Sequence, residues 1–306
     1  MAELAVRVGS LALRNPFLLA SGIWGESGDS LAGAWTAGAG AVITKSIGSL
    51  PRTGYPNPTV EEYSTWGLLN AMGLPNPGID EYPREIAAAR SHGATIIGSV
   101  FGADADEFAR LATRIAETGV VAVELNLSCP HAEGYGTEVG SEPKDVEAIV
   151  RSVVRAVTVP VIAKITPNTP DAAALAVAAE NGGAGAVSAI NTVRGLAIDT
   201  TLHRPVLAHG LGGLSGPAIK PVGLACVWQI YERVRIPVIG IGGISTAEDA
   251  LEYIMAGARA VEVGTVVTQQ GVGVFSRLAD GLSHRLDELG YSTVSEAVGI
   301  AHGTSR

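Results

Sequence analysis

Short apolar runs rich in β-branched residues recur along the chain, each followed by a longer, alanine-rich stretch whose apolar positions return every three or four residues. The first kind of run predicts strands buried on both faces, near Phe17–Ala20, Ala41–Thr44, Thr95–Ser99, Ala122–Leu125, Val161–Lys164, Ala186–Ile190, Val238–Ile241 and Ala260–Val263. The second predicts helices at Ser30–Ala37, Tyr82–Ser91, Ala105–Thr118, Pro143–Ala156, Asp171–Asn181, Ala218–Val234, Thr246–Met255 and Gly273–Leu289. Eight strands, each followed by a helix, make the pattern of a (β/α)8 TIM barrel, which takes about 250 residues. The 306 residues fit one such domain over 1–306 with short extras. Ahead of the first strand, Leu4–Leu13 alternates around Gly9-Ser10 and reads as a β-hairpin, placed to cover the bottom of the barrel. Two connections are long, Ser46–Glu81 and Asn191–Pro217. Both follow strand C-termini, where barrel active sites sit, and loops of that length in a compact domain are usually functional.

Charge and cysteine content narrow the possibilities. Thirty acidic residues against 21 basic ones give a net charge of −9 with no Lys/Arg cluster, so the basic face of a nucleic-acid binder is missing. The longest apolar stretches are strand-length, and the start Met-Ala-Glu-Leu carries no signal peptide. No membrane span is expected, and the cytoplasm is the expected location. Cys129 and Cys226 are the only cysteines. Two cannot supply the four thiolates of an Fe–S cluster, so any cluster in this system is expected on another chain. No histidine stands in a ligand pattern, and no metal is expected.

Polar residues gather at the strand ends: Ser21 and Gly22 after the first, Lys45 and Ser46 after the second, Asn126, Ser128 and Cys129 after the fourth, Lys164 on the fifth, Asn191 and Thr192 after the sixth. A lysine ending an apolar strand is costly unless its charge is compensated. Either lysine alone could be a surface residue at a loop start; two at one barrel mouth point to an anionic or electron-rich ligand. Gly240 at the end of strand seven and Gly242-Gly243 after it, with Ser245-Thr246 at a helix start, and Gly264-Thr265 after strand eight, form a candidate phosphate site. Backbone N–H groups can approach a phosphate closely there, and this is the usual phosphate position in TIM barrels. The spacing is not the dinucleotide fingerprint. Cys129, just past a strand end and followed by Gly134-Tyr135-Gly136, is a candidate base, since an unperturbed thiol titrates at about pH 8.5 and can work near neutral pH. Cys226, inside an apolar helix, reads as inert. Asn70, Asn126 and Asn191 offer paired donors and acceptors that suit a ring of alternating N–H and C=O groups, such as a pyrimidine, although each alone is more often a turn residue.

Taken together, Ala20-Ser21-Gly22, Thr44-Lys45-Ser46, Asn70-Ala71-Met72-Gly73-Leu74, Asn126-Leu127-Ser128-Cys129-Pro130, Ala163-Lys164, Ile190-Asn191-Thr192, Gly213-Leu214-Ser215-Gly216, Gly242-Gly243 and Gly264-Thr265 resemble the class 1 dihydroorotate dehydrogenases over nearly the full chain. The resemblance implies oxidation of dihydroorotate to orotate in pyrimidine synthesis, with FMN as cofactor. Cys129 would take the C5 proton, and hydride from C6 would pass to N5 of FMN. Lys164 would face the negative charge that gathers near N1. Lys45 would contact flavin and the substrate carboxylate. Asn70, Met72, Gly73, Leu74, Asn126, His131, Asn191 and Thr192 would hold the substrate. Ala20, Ser21, Gly22, Lys45, Ser46, Asn126, Lys164, Ile190, Gly216, Gly242, Gly243, Gly264 and Thr265 would hold FMN. Many members carry Asn where this chain has His131, which can also donate.

The resemblance also implies partners. Thr192 and Gly195-Leu196-Ala197-Ile198-Asp199 look like the class 1B branch, which works with a second subunit carrying FAD and a [2Fe–2S] cluster and passes electrons to NAD, in a heterotetramer. The alternatives are a fumarate-using homodimer of class 1A type, an FMN barrel acting on another pyrimidine, as in dihydropyrimidine dehydrogenase or dihydrouridine synthase, and a non-catalytic FMN barrel. Class 2 enzymes use Ser as base and carry a membrane-binding extension, whereas this chain has Cys129. Glycines 134, 136 and 140 suggest that about Pro130–Gly140 opens and closes as a lid.

Overall fold

A computed structural model describes residues 1–22, 24–63, 65, 67–127 and 139–303. Eight parallel strands close into a barrel: β1 (Phe17–Leu19), β2 (Ala41–Ile43), β3 (Ile96–Val100), β4 (Ala122–Asn126), β5 (Val161–Ile165), β6 (Ala186–Ala189), β7 (Val238–Ile241) and β8 (Ala258–Val263). Each pairs with its neighbour in sequence, and β8 pairs with β1. The main helices are α1 (Gly28–Thr36), α2 (Tyr82–Ser91), α3 (Ala105–Ala116), α4 (Pro143–Ala156), α5 (Ala172–Asn181), α6 (Lys220–Arg233), α7 (Ala247–Met255) and α8 (Val274–Glu288). The expected (β/α)8 architecture is present, with a short helix, Thr265–Gln270, added between β8 and α8.

Local chemistry accounts for the helices. On α3, Phe108, Leu111, Ala112 and Ile115 are buried, and on α4, Val146, Ile149, Val150 and Val153. Both follow the i, i+3, i+4, i+7 spacing that puts one stripe against the barrel. Each such side chain contributes about 1.5–3 kcal/mol by leaving water. Ser27 and Thr246 start α1 and α7 with capping boxes, Asp104 caps α3 and Asp171 caps α5; caps of this kind are worth about 1 kcal/mol each. The N-terminal hairpin pairs Val6 with Leu13 and Val8 with Leu11, and buries all four. It turns at Gly9 (φ +59°), close enough to the Gly185 carbonyl ahead of β6 that a Cβ would lie 3.1 Å from it. The hairpin therefore closes the end of the barrel where strands enter.

The two long connections differ from their reading as loops. They contribute four short strands to one antiparallel sheet over the barrel mouth, ordered Val193–Gly195, Gly212–Ser215, Leu68–Asn70, Val60–Glu62. Gly213 faces Asn70 in register. Ile198–Asp199 and Arg204–Pro205 pair as a separate hairpin. Leu69, Ala71 and Leu207 form a small core of their own under the sheet, with Tyr55, Ala197, Val206 and Leu214 packed against it. At Gly213 a Cβ would stand 2.1 Å from Thr192 Oγ1 and 2.6 Å from Thr192 Cβ, so the sheet rests directly on the residue after β6.

That contact gives the first prediction. Gly213→Ala should push the sheet off Thr192 and expose the two mouth segments, while the barrel core stays intact. Limited proteolysis should cut within 46–81 or 191–217 several times faster than in the wild type, with the urea midpoint nearly unchanged. Equal cutting rates would show that the sheet does not depend on this close approach.

Candidate active site

The C-terminal ends of the strands open into a cavity of about 300 Å³ under the mouth sheet. The described residues that the resemblance assigns to substrate or cofactor all line it, whereas Gly240 and Thr246 of the candidate phosphate site do not. From the strand ends come Ala20, Ser21, Gly22, Lys45, Ser46, Asn126, Lys164, Ile190, Asn191 and Thr192. The first long connection brings Asn70, Met72, Gly73 and Leu74, and the far side brings Gly216, Gly242, Gly243, Gly264 and Thr265. Cys129 and His131, with the segment expected to act as a lid, lie in 128–138, outside the described residues. The chain on either side of 128–138 is fixed at the mouth: Gly140 N–H donates to the Leu127 carbonyl at 3.0 Å, just beyond Asn126.

The cavity floor is ionic. Lys164 is buried between two buried acids, its Nζ 2.8 Å from Glu262 Oε2 and 3.6 Å from Glu124 Oε1. Burial alone would lower the ammonium pKa. The charges of Glu124 and Glu262, with their hydrogen bonds, outweigh it and raise the value, so Lys164 is a cation. Glu262 is driven well above the usual carboxylate range, first by burial and then by the Glu124 charge, against the pull of Lys164. One cation thus faces two buried carboxyl groups, an imbalance that favours the neutral form of Glu262. Glu124 also accepts from Ser188 Oγ at 3.0 Å and Ser99 Oγ at 3.4 Å.

From Glu124 a hydrogen-bonded chain climbs the wall. Ser99 Oγ lies 2.9 Å from Ser46 Oγ, which lies 3.1 Å from Ser21 Oγ and accepts from Asn126 Nδ2 at 3.0 Å. Asn191 Nδ2 donates to Asn126 Oδ1 at 3.3 Å, and Thr192 N–H donates to Asn191 Oδ1 at 2.8 Å. Two of the three expected asparagines are thus bonded to each other. The third, Asn70, hangs from the mouth sheet and donates to the Gly213 carbonyl at 3.1 Å. Gly73 and Leu74 both take positive φ (+73° and +56°), a tight turn that aims Met72–Leu74 at the cavity. Asn76 braces that turn by donating to the Leu74 carbonyl at 2.8 Å and accepting from Gly78 N–H at 3.0 Å. Lys45 is buried at the rim and pairs with the exposed Glu26 at 2.8 Å.

The glycine-rich side is a cradle. Gly243 (φ +69°) comes so near the start of α6 that a Cβ would meet the Gly216 carbonyl at 2.8 Å. Tyr253 of α7 donates to the Gly242 carbonyl at 2.8 Å from beneath; burial pushes its phenol far above the ordinary value, so it remains a donor. Among the described residues, a Cβ at Gly264 would find its nearest neighbour, Ala20 Cβ, at 3.6 Å, and one at Gly22 would find nothing within 4 Å. The expected help from the start of α7 is spoken for: Asp249 Oδ2 accepts from Ser245 N–H and Oγ and from Thr246 N–H. Thr265 Oγ1 donates to Ser215 Oγ at 2.8 Å.

Several residues at the site were not anticipated. Glu124 and Glu262 were visible as single acids inside apolar strands, Val123-Glu124-Leu125 and Val261-Glu262-Val263; an acid in a doubly buried strand needs a cation. Tyr55 and His209, stacked with ring centroids 3.9 Å apart, line the mouth with Asn168 and Arg194. The other cysteine, Cys226, is part-buried on α6, where burial raises its thiol pKa. Among the described residues no group of His, Cys, Asp and Glu is arranged to hold a metal, and no helix is long and apolar enough to cross a membrane.

A closed (β/α)8 barrel whose mouth joins a buried cation, bonded amides and a glycine cradle has the architecture of the TIM-barrel enzymes, whose active sites sit at this face. The sequence profile of dihydroorotate dehydrogenase matches residues 3–286, and the chain belongs to that family of oxidoreductases. It is 48% identical over 301 residues to the Thermococcus kodakarensis protein named dihydroorotate dehydrogenase B (NAD(+)), catalytic subunit, covering 98% of this chain and 99% of that one. A protein of the same name from Methanosarcina mazei is 49% identical over 294 residues, 95% of this chain and 93% of the relative. Another from Thermoplasma acidophilum is 46% identical over 301 residues, 98% and 99%.

The buried triad yields a pH prediction. In Lys164→Met, Glu124 and Glu262 lose their cation. Breaking a buried pair in this way costs about 3–5 kcal/mol. The Glu262 carboxyl, already raised, should then titrate still further above its unfolded value of about 4.3, so stability is fullest below that pH and falls as pH rises through the folded value. Urea unfolding at pH 5.5 and 8 should show the variant losing stability to alkali faster than the wild type. A constant difference between the two proteins would mean the acids do not depend on Lys164.

Proposed function

We propose that residues 1–306 act as one FMN-binding barrel domain, the catalytic subunit of an NAD-coupled dihydroorotate dehydrogenase of the cytoplasm. The observation that carries this is the convergence of Lys45, Lys164, the Asn126–Asn191 pair and the Gly216/Gly243/Gly264 cradle on one cavity. The cavity suits a flavin monophosphate: a cation and an unpartnered buried oxygen at the floor, and glycines that leave the wall bare at the side. When bound, FMN supplies the hydride acceptor.

The chain's own residues do the rest. Asn70, Asn126, Asn191 and Thr192 hold the substrate's amide edges, with Met72, Gly73, Leu74 and His131 closing around it. Lys45 meets the substrate carboxylate. Cys129, as thiolate, takes the proton from C5, next to the ring carbonyl, while hydride leaves C6, and the product is orotate. Lys164 holds positive charge beneath the electron-rich ligand. Ser46 would contact the flavin ring system, Gly216, Gly242, Gly243, Gly264 and Thr265 would hold the ribityl phosphate region, and Ala20, Ser21, Gly22, Lys45, Asn126 and Ile190 would complete the cofactor site.

The relatives' names as catalytic subunits using NAD(+) support an NAD-linked partner over the fumarate-using homodimer. Two cysteines and no dinucleotide fingerprint leave a partner subunit to bring FAD and a [2Fe–2S] cluster, as a heterotetramer.

Three experiments test this reading. The purified chain should be yellow and release FMN; chromatography that finds FAD alone would overturn the cofactor. With its partner it should form NADH from dihydroorotate, and alone only bleach its flavin; fast NADH formation by the isolated chain would remove the need for a partner. Cys129→Ala should keep FMN and slow flavin reduction by about 10²–10⁴-fold, with Cys129→Ser between and shifted to higher pH. Cys226→Ala should leave reduction at the wild-type rate. An undiminished rate in Cys129→Ala would discard the base.

A further inference from the structure

The two acids on the cavity floor are not equivalent. Glu124 accepts from Ser188 and Ser99 and lies 3.6 Å from the Lys164 ammonium. Glu262 has one donor, Lys164, on Oε2. Its Oε1 is buried and, among the described residues, is the only buried side-chain polar atom without a hydrogen-bond partner, yet Glu262 forms part of the cavity wall. A carboxylate oxygen there would be starved of the donors its charge demands. A protonated oxygen has a hydrogen to give and needs only an acceptor in the cavity.

Apart from Glu124, the surroundings offer this proton no acceptor among the described residues. Strands β7 and β1 on either side are apolar, Val238–Ile241 and Phe17–Leu19. On α7, packed against β8, Asp249 and Glu252 pair with Lys220, Glu248 pairs with Arg285, and Tyr253 is bonded to backbone carbonyls. Arg7 of the N-terminal hairpin and Arg259 at the start of β8 are exposed. Lys45, at the rim, is matched by Glu26. Only Glu124 and Lys164 face Glu262 across the barrel, and the Glu124 charge outweighs that of Lys164.

We propose that Glu262 is held as the neutral acid and that its Oε1–H is a hydrogen-bond donor to the ring of the bound flavin, making Glu262 a cofactor-binding residue. This rests on the flavin reading given above. Burial and the Glu124 charge both push the Glu262 carboxyl in the required direction. The neutral form lets Lys164 present its charge to the ligand, where an ionised Glu262 would leave the floor with a net negative charge and repel an anionic ring.

The test uses wild-type and Glu262→Gln protein stripped of flavin; glutamine keeps the size, an acceptor for Lys164 and a donor for the cavity. Infrared spectra at pH 7 should show a protonated-carboxyl carbonyl band in the wild type that Glu262→Gln lacks. Identical spectra would overturn the neutral acid. On titration with FMN the band should shift to lower frequency as the hydrogen is given away; a band unmoved by FMN that does bind would overturn the donor role. FMN affinity of the wild type should weaken about tenfold as pH rises through the ionisation of Glu262, the loss of one hydrogen bond, while Glu262→Gln changes much less over the same range. Parallel pH profiles would count against the proposal. If neither protein binds FMN, the flavin reading falls and takes the donor role with it, whereas the band of the stripped protein decides the neutral acid by itself.

Discussion

A single ammonium held between two buried carboxyl groups is the constraint on which the site is built. Lys164, Glu124 and Glu262 come from β5, β4 and β8, so their contacts fix the relative height of strands drawn from opposite parts of the barrel. A barrel interior is ordinarily filled by layers of branched apolar side chains. Here one level is ionic, and its charges must be satisfied there because water does not reach them. Such a triad adds little net stability compared with apolar packing, but it is intolerant of partial loss. Everything polar above it inherits that order: Glu124 orients Ser99, Ser99 orients Ser46, and Ser46 sets Asn126 and through it Asn191.

The opposite end of the barrel is built on other physics. The N-terminal hairpin alternates buried Val6, Val8, Leu11 and Leu13 with exposed Arg7 and Ala12. It plugs the barrel with apolar side chains and has no titratable contact with the core. Chemistry and closure are thus kept at opposite faces, and the mouth can carry orphan polar groups and positive-φ turns such as Gly73-Leu74 without drawing on the packing that holds the strands.

Much of this was legible in the residues. The eight strands and their helices follow from continuous apolar runs alternating with amphipathic stretches, because a doubly covered strand and a one-sided helix leave different patterns. Lys45, Lys164, Asn126 and Asn191 were found by where they stand, at strand ends. Glu124 and Glu262 were passed over because they sit within strands, and a strand's pattern does not say which neighbour supplies the counter-charge. The mouth sheet was read as loop because its strands are three or four residues long, glycine-rich at Gly212-Gly213, and half-exposed. Nothing local marks a strand whose partner is more than 140 residues away. The start of α7 looked open to an anion, and only the fold reveals that Asp249 already occupies it.

That remote pairing governs when the cavity can come into being. Leu68–Asn70 leaves the ribosome early, but the strand it needs, Gly212–Ser215, is translated only after α1 to α5. Until then the first mouth segment has no edge to lie on, and closing so long a loop is paid in chain entropy before any contact returns it. The barrel wall grows in order, neighbour upon neighbour, while its roof waits. A nascent chain of this protein therefore carries a growing wall well before it carries a ligand pocket.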